Sequence, residues 1–178
     1  MKTKNQTGKI AVTGLLGALA LVLSFLEGLV PPLPAMPPGA KLGLSNIATM
    51  FAAGYLGLPG ALFTALIKGG FAFLSRGVTA GAMSLSGALL SALVGWFLLK
   101  KTGISFLTTG ILCAVSHNMA QLAVAYWVSS VGILSYLPAL LFFGVCSGSL
   151  TGLMLFFLYD RLELVGNFVL GKESGFSR

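Results

Sequence analysis

Lys68 stands in the run Leu66-Ile67-Lys68-Gly69-Gly70-Phe71, near the middle of a long apolar stretch. An ionised group in hydrocarbon costs about 2.5 to 3.5 kcal/mol on insertion scales, so its presence calls for a partner. Two readings compete. The four-carbon stem can snorkel to the interface, or the ammonium lines a cavity and meets a ligand. At 1.5 Å per residue the nearest end of the stretch is about ten to twelve Å away, and Gly69 and Gly70 leave open space beside the side chain, which favours the cavity. A second polar group is Ser116-His117-Asn118-Met119-Ala120-Gln121. His117 and Gln121 are four apart and share a helix face, whereas Asn118 lies about 100° round from His117, toward an adjacent helix. Hydrogen bonding between helices and contact with a ligand both remain open for these three. The third group is Lys41, Ser45 and Asn46. Lys41 can mark the membrane interface and Asn46 can bond a neighbouring carbonyl, but both can also face a ligand. The chemistry these residue types offer is capture of an anion by fixed cations and amides.

Catalysis lacks its raw material. The 178 residues include four carboxylates, Glu27, Asp160, Glu163 and Glu173, which are dispersed, and a single His. Cys113 and Cys146 form no CxxC and read as small buried hydrophobes. With no carboxylate cluster, metal-ligand set or nucleophile–base arrangement, we expect no catalytic residue, no metal, no cofactor and no enzyme activity. Composition names the solvent: 56% of residues are hydrophobic and 8% charged, against about a quarter charged in a soluble domain. The net charge of +7 follows from basic cytoplasmic loops and implies no nucleic acid.

The elements that must position the polar groups are helices of about 20 apolar residues. Six segments qualify: about 10–26, 42–57, 60–74, 81–99, 104–128 and 136–159. Ala18-Leu19-Ala20 resembles a signal-peptide cleavage site, but the apolar run continues past it and five further segments follow. If the N-terminus is cytoplasmic, the inner side receives Lys2, Lys4, Lys9, Lys100, Lys101, Arg161, Lys172 and Arg178, and the outer side only Lys41 and Arg76. Eight against two places both termini inside. The expected organisation is a cytoplasmic N-terminal segment, 1–9, a six-helix transmembrane domain, 10–160, and a cytoplasmic tail, 161–178. The first outer connection, about 28–40, holds five of the seven prolines and reads as a stiff cap.

Gly14-xxx-Ala18, Gly87-xxx-Ser91-xxx-Gly95 and Gly144-xxx-Gly148-xxx-Gly152 are small-residue faces that allow close helix approach. For the last two, packing within the chain is the favoured reading; for the first, a partner interface is as good. Chain direction puts Lys41, Asn46, Arg76 and Gln121 in the outer half and Lys68 and His117 near mid-depth. They are expected to converge under the proline-rich loop on one cavity of positive sign, Lys41, Lys68 and Arg76 against Glu27 alone, with Phe71, Phe73, Trp127 and Tyr136 against an apolar part of the ligand.

The run Pro37-Pro38-Gly39-Ala40-Lys41-Leu42-Gly43-Leu44-Ser45-Asn46-Ile47, with Leu56-Gly57-Leu58-Pro59-Gly60-Ala61 and Leu66-Ile67-Lys68, resembles the membrane-embedded substrate-binding (S) components of energy-coupling factor (ECF) transporters. Gly43-Leu44-Ser45-Asn46-Ile47 with His117-Asn118 and Gln121-Leu122 is similar to the Gx transporter family, also labelled heptaprenyl diphosphate synthase component I. The resemblance covers about residues 10 to 160. It implies an all-α six-helix bundle of the S-component type, with both termini inside, in the bacterial cytoplasmic membrane. It further implies capture of a small anionic vitamin or cofactor precursor, and docking onto a transmembrane coupling subunit driven by two ATPases. Lys41, Ser45, Asn46, Lys68, Arg76, His117, Asn118 and Gln121 are then the expected substrate-binding residues, and Ala11, Gly14 and Ala18 the docking face. The synthase label suggests the alternative, a non-catalytic membrane subunit assisting isoprenoid or quinone biosynthesis or membrane electron transfer. Prenyl elongation itself needs carboxylates to hold Mg²⁺ on diphosphate, and the four here are scattered.

Overall fold

A chain dissolved in lipid must satisfy its backbone within each segment, which leaves helices as the economical solution for apolar runs of this length. The computed structural model describes residues 2–29, 41, 43–129 and 131–170. Within them lie α1 (Lys2–Leu29), α2 (Asn46–Tyr55), α3 (Leu58–Arg76), α4 (Val78–Lys101), α5 (Phe106–Ser129), a 3-10 segment (Val131–Tyr136) and α6 (Leu137–Leu170). The fold is all-α, and the chain is a multi-pass membrane protein. Five of the helices are long and apolar enough to cross a membrane. The Pro-rich connection, from residue 30 to residue 40, and the last eight residues of the tail lie outside the described residues.

The exception among the six expected spans is the second. Instead of a helix over 42–57, the chain is helical only across the ten residues of α2. Ten residues rise about 15 Å, half of a hydrocarbon core of about 30 Å. The helix is tolerated because it faces protein: eight of its ten residues are buried. Met50, Phe51, Ala52 and Ala53 form the centre of the core with Ala61 and Ala65 of α3, Ala88 and Ala92 of α4 and Cys113 of α5. A short turn through Gly57, with Pro59 in the first turn of α3, reverses the chain, since proline is preorganised for a helix start. At the other end the sixth helix runs on to Leu170, past the boundary at residue 160 expected from hydropathy, because loss of apolar character does not by itself end a helix.

α5 packs between α4 and α6, α3 lies against α4, and α1 touches α3, α2 and α6. The small-residue faces explain the first two contacts. Gly87, Ser91 and Gly95 are all buried, and a Cβ on Gly95 would meet the Cys113 sulfur at 3.2 Å. At the α5–α6 contact the backbones themselves touch. A Cβ on Gly148 would stand 2.6 Å from Ile111 Cα and 2.8 Å from the Gly110 carbonyl oxygen, neither of which can yield as a side-chain tip can. Gly148→Ala is therefore expected to lower stability by about 1 to 3 kcal/mol, read as a fall in thermal unfolding temperature in lipid nanodiscs. The favoured reading of these two faces, packing within the chain, is what the helices adopt. Cys146, expected to be buried, is exposed on α6, whereas Cys113 is buried.

Candidate functional site

α3 carries Lys68 as its eleventh residue of nineteen, about 15 Å above its inner end. The side chain is 1% exposed, so it does not snorkel. Its ammonium donates to Asn46 Oδ1, which puts the first turn of α2 at the same mid-depth level. α2 thus fills the inner half of the bundle, and the chain above it, through residues 43–45, is non-helical in the outer half. Asn46, expected in the outer half, sits at its lower boundary. Irregular backbone at membrane depth survives only where protein satisfies it. Here α1 and α5 do so.

Glu27, near the outer end of α1, is the main fastening. Its Oε1 accepts from the Gly43 and Leu44 amides, the latter at 2.8 Å, and its Oε2 accepts from the Ser45 hydroxyl at 3.0 Å. A carboxylate taking several backbone N–H groups is a charge-assisted cap, supplied here from another helix. Gly43 has φ +84°, a left-handed conformation that favours glycine. A side chain there would also press on Asn46 Nδ2 at 2.9 Å and on the His117 ring. On the opposite side the Gln121 amide clasps Lys41 at both ends of its backbone, accepting from its N–H at 3.1 Å and donating to its carbonyl at 3.4 Å. The Lys41 ammonium turns to α1 and donates to the Ser24 carbonyl.

Six of the eight expected binding residues line one enclosed space: Lys41, Ser45, Lys68, Arg76, His117 and Gln121. Asn46 adjoins it through its bond to Lys68. Asn118 does not belong to it, since its side chain points to α6 and donates to the Leu140 carbonyl at 2.8 Å. The 100° step between residues 117 and 118 separates the two roles: His117 faces the space beside Gly43 and Gly87, while Asn118 ties two helices together. Glu27, expected only as the counter-charge to the three cations, and Ser84, not expected at all, complete the lining. Glu27 was recoverable as the only carboxylate expected in the outer half; Ser84, a serine in an apolar helix, carries no such signal.

The expected aromatic wall is absent from this lining. Trp127 is 88% exposed on the outside of the bundle, where an indole suits the lipid–water interface. Phe73 lies against Gly81, and Tyr136 packs with Met83, Leu122, Ala125 and Leu140. Neither they nor Phe71 line the site. What remains is polar and positive, with Lys41, Lys68 and Arg76 against Glu27. Burial pushes the Lys41 ammonium down to about 8, the Arg76 charge acts the same way, and Glu27 opposes both. Among the described residues the lining side chains lie close together, with no water-sized space between them.

On the opposite face of α1, the expected docking residues Ala11, Gly14 and Ala18 are exposed. A Cβ on Gly14 would meet nothing within 4 Å. Leu16 and Ala20, by contrast, are buried against the bundle.

Comparison with known proteins matches residues 16–158 to the family model described as heptaprenyl diphosphate synthase component I. Among solved structures the chain is similar to the S component of a bacterial ECF transporter, with a TM-score of 0.64 and 22% identity. The match covers 90% of this chain and 98% of that one. This likeness carries the fold. No curated protein matches the chain.

Proposed function

This chain belongs to the family described as heptaprenyl diphosphate synthase component I, and from that premise and its bundle we propose that it is the solute-binding membrane subunit of an ECF-type transporter. It captures a small anionic vitamin or cofactor precursor at the outer side of the cytoplasmic membrane. The observation that carries the reading is Lys68, a cation buried at mid-depth among two further cations, one carboxylate and a set of amides. A purely structural ammonium needs no such company, and a polar group in the membrane interior is by default a functional site. Asn46, His117 and Gln121 orient the solute, and Ser45 presents the capped turn. The exposed small-residue face Ala11, Gly14 and Ala18 docks the transmembrane coupling subunit, whose ATPases drive release inward. Because the cation set equally suits a diphosphate, the family description supports a second reading, an accessory subunit that presents a prenyl diphosphate or quinone precursor to another enzyme.

Gentle purification from the native membrane, followed by mass spectrometry of co-purifying proteins and of small molecules released on denaturation, separates the two. A coupling subunit with ATPases and a stoichiometric metabolite supports transport. A prenyl or quinone enzyme without an ATPase replaces it with the accessory reading. Affinity for an anionic solute is expected to fall as pH rises through about 8, because Lys41 then loses the proton that attracts the anion. Glu27, Arg76 and Lys68 face the same space, so Lys41→Arg, whose guanidinium stays charged, should make the fall shallower in equilibrium dialysis at pH values on either side of 8.

A further inference from the structure

Resting on the solute-binding reading above, we infer that the solute carries two negative charges on oxygen acceptors, as a dicarboxylate or a phosphomonoester does. The first ground is charge balance. Lys41, Lys68 and Arg76 line the space with Glu27 as the one carboxylate among the described lining residues, a formal excess of two positive charges. Uncompensated charge in a low-dielectric interior is costly, and a bound dianion cancels it. A monoanion would leave one charge over, and a neutral solute both.

The second ground is independent of charge. Donors in the site outnumber acceptors. Both Glu27 oxygens already accept from Gly43, Leu44 and Ser45, so little of this carboxylate's acceptor capacity is left for the rest of the site. Among the described residues the Lys68 ammonium, with three N–H donors, has one acceptor, Asn46 Oδ1. The Asn46 Nδ2 amide, in a residue 1% exposed, has no acceptor among them. Such groups cost free energy until an acceptor arrives, and two anionic groups bring enough lone pairs to serve them together. The third ground is what the site lacks: no Phe, Tyr or Trp is among its described lining residues. Affinity therefore rests chiefly on ion pairing and hydrogen bonds, with the His117 imidazole as the one aromatic ring among the described lining residues.

The test uses the chain in lipid nanodiscs and, as probe, the solute set free by denaturing the natively purified protein. Mass spectrometry identifies it and titration counts its acid groups. Each group is then blocked in turn as a methyl ester, and binding is measured by equilibrium dialysis. The expected solute has two charges at neutral pH. Each monoester should bind at least ~30-fold more weakly, and Lys68→Met and Arg76→Met should each weaken the parent solute by a comparable factor. A released solute that is neutral, cationic or singly charged, or a monoester that binds as tightly as the parent, overturns the dianion and leaves solute capture intact. A chain that releases no stoichiometric solute and binds none on reconstitution overturns both.

Discussion

Lys68→Met is expected to fold at least as stably as the parent chain and to lose its solute. The two halves of this result have the same cause. Lys68 is fully enclosed, and replacing a buried ion by an apolar group of similar length removes a desolvation penalty, a change that is often neutral or stabilising. The Asn46 carbonyl oxygen loses its donor, a modest cost beside that relief. Against an anionic solute, however, the missing ammonium should cost about 2 to 5 kcal/mol, or roughly 30-fold to several thousandfold in affinity. Asn118→Leu supplies the control. It removes the bond to the Leu140 carbonyl on the far side of α5 and should lower thermal stability while leaving solute affinity within about twofold, since changes outside a shared network are nearly additive. Equilibrium dialysis and thermal unfolding on both variants read the contrast. An unchanged affinity in Lys68→Met removes Lys68 from the site.

Glu27→Ala should show the reverse pattern, with a large loss of stability. The substitution strips the acceptors from the Gly43 and Leu44 amides and the Ser45 hydroxyl, all in the non-helical stretch above α2, and removes the counter-charge of the cation cluster. Breaking a buried charged network from one side costs about 3 to 5 kcal/mol. Glu27→Gln keeps an amide oxygen for the two backbone donors but loses the charge and the acceptor of the Ser45 hydroxyl, whose oxygen can accept from the new amide instead, so its cost should be smaller. Thermal unfolding in nanodiscs orders the three chains. Equal stability of Glu27→Ala and the parent would mean that the 43–45 stretch does not depend on this fastening.

The spans were legible because lipid imposes a length and a composition that apolar runs either meet or do not, and five of the six expected segments form helices long and apolar enough to cross. The second failed for a reason hydropathy does not see. Most of its helical part, Ala48 to Gly54, is buried in protein instead of facing lipid, and protein tolerates a half-length helix that lipid would not. Gly43 was the one local sign of the break, and a single glycine in a membrane helix is too common to read that way. Asn118 shows the same limit, for its angular offset from His117 was visible, while its acceptor on α6 depended on how the helices pack.

The amino-acid sequence by itself determined the solvent, the helical class, the number of apolar segments and the positive sign of the polar set, because these follow from composition and from the cost of charge in hydrocarbon. Only the tertiary structure decided that α2 stops at mid-depth and that Glu27 holds the turn above it. It likewise sent Asn118 and Trp127 away from the site and brought Lys68 beside Asn46. Each of these depends on which faces of separate helices meet, and contacts between residues 16 to 80 positions apart are not written in any local period.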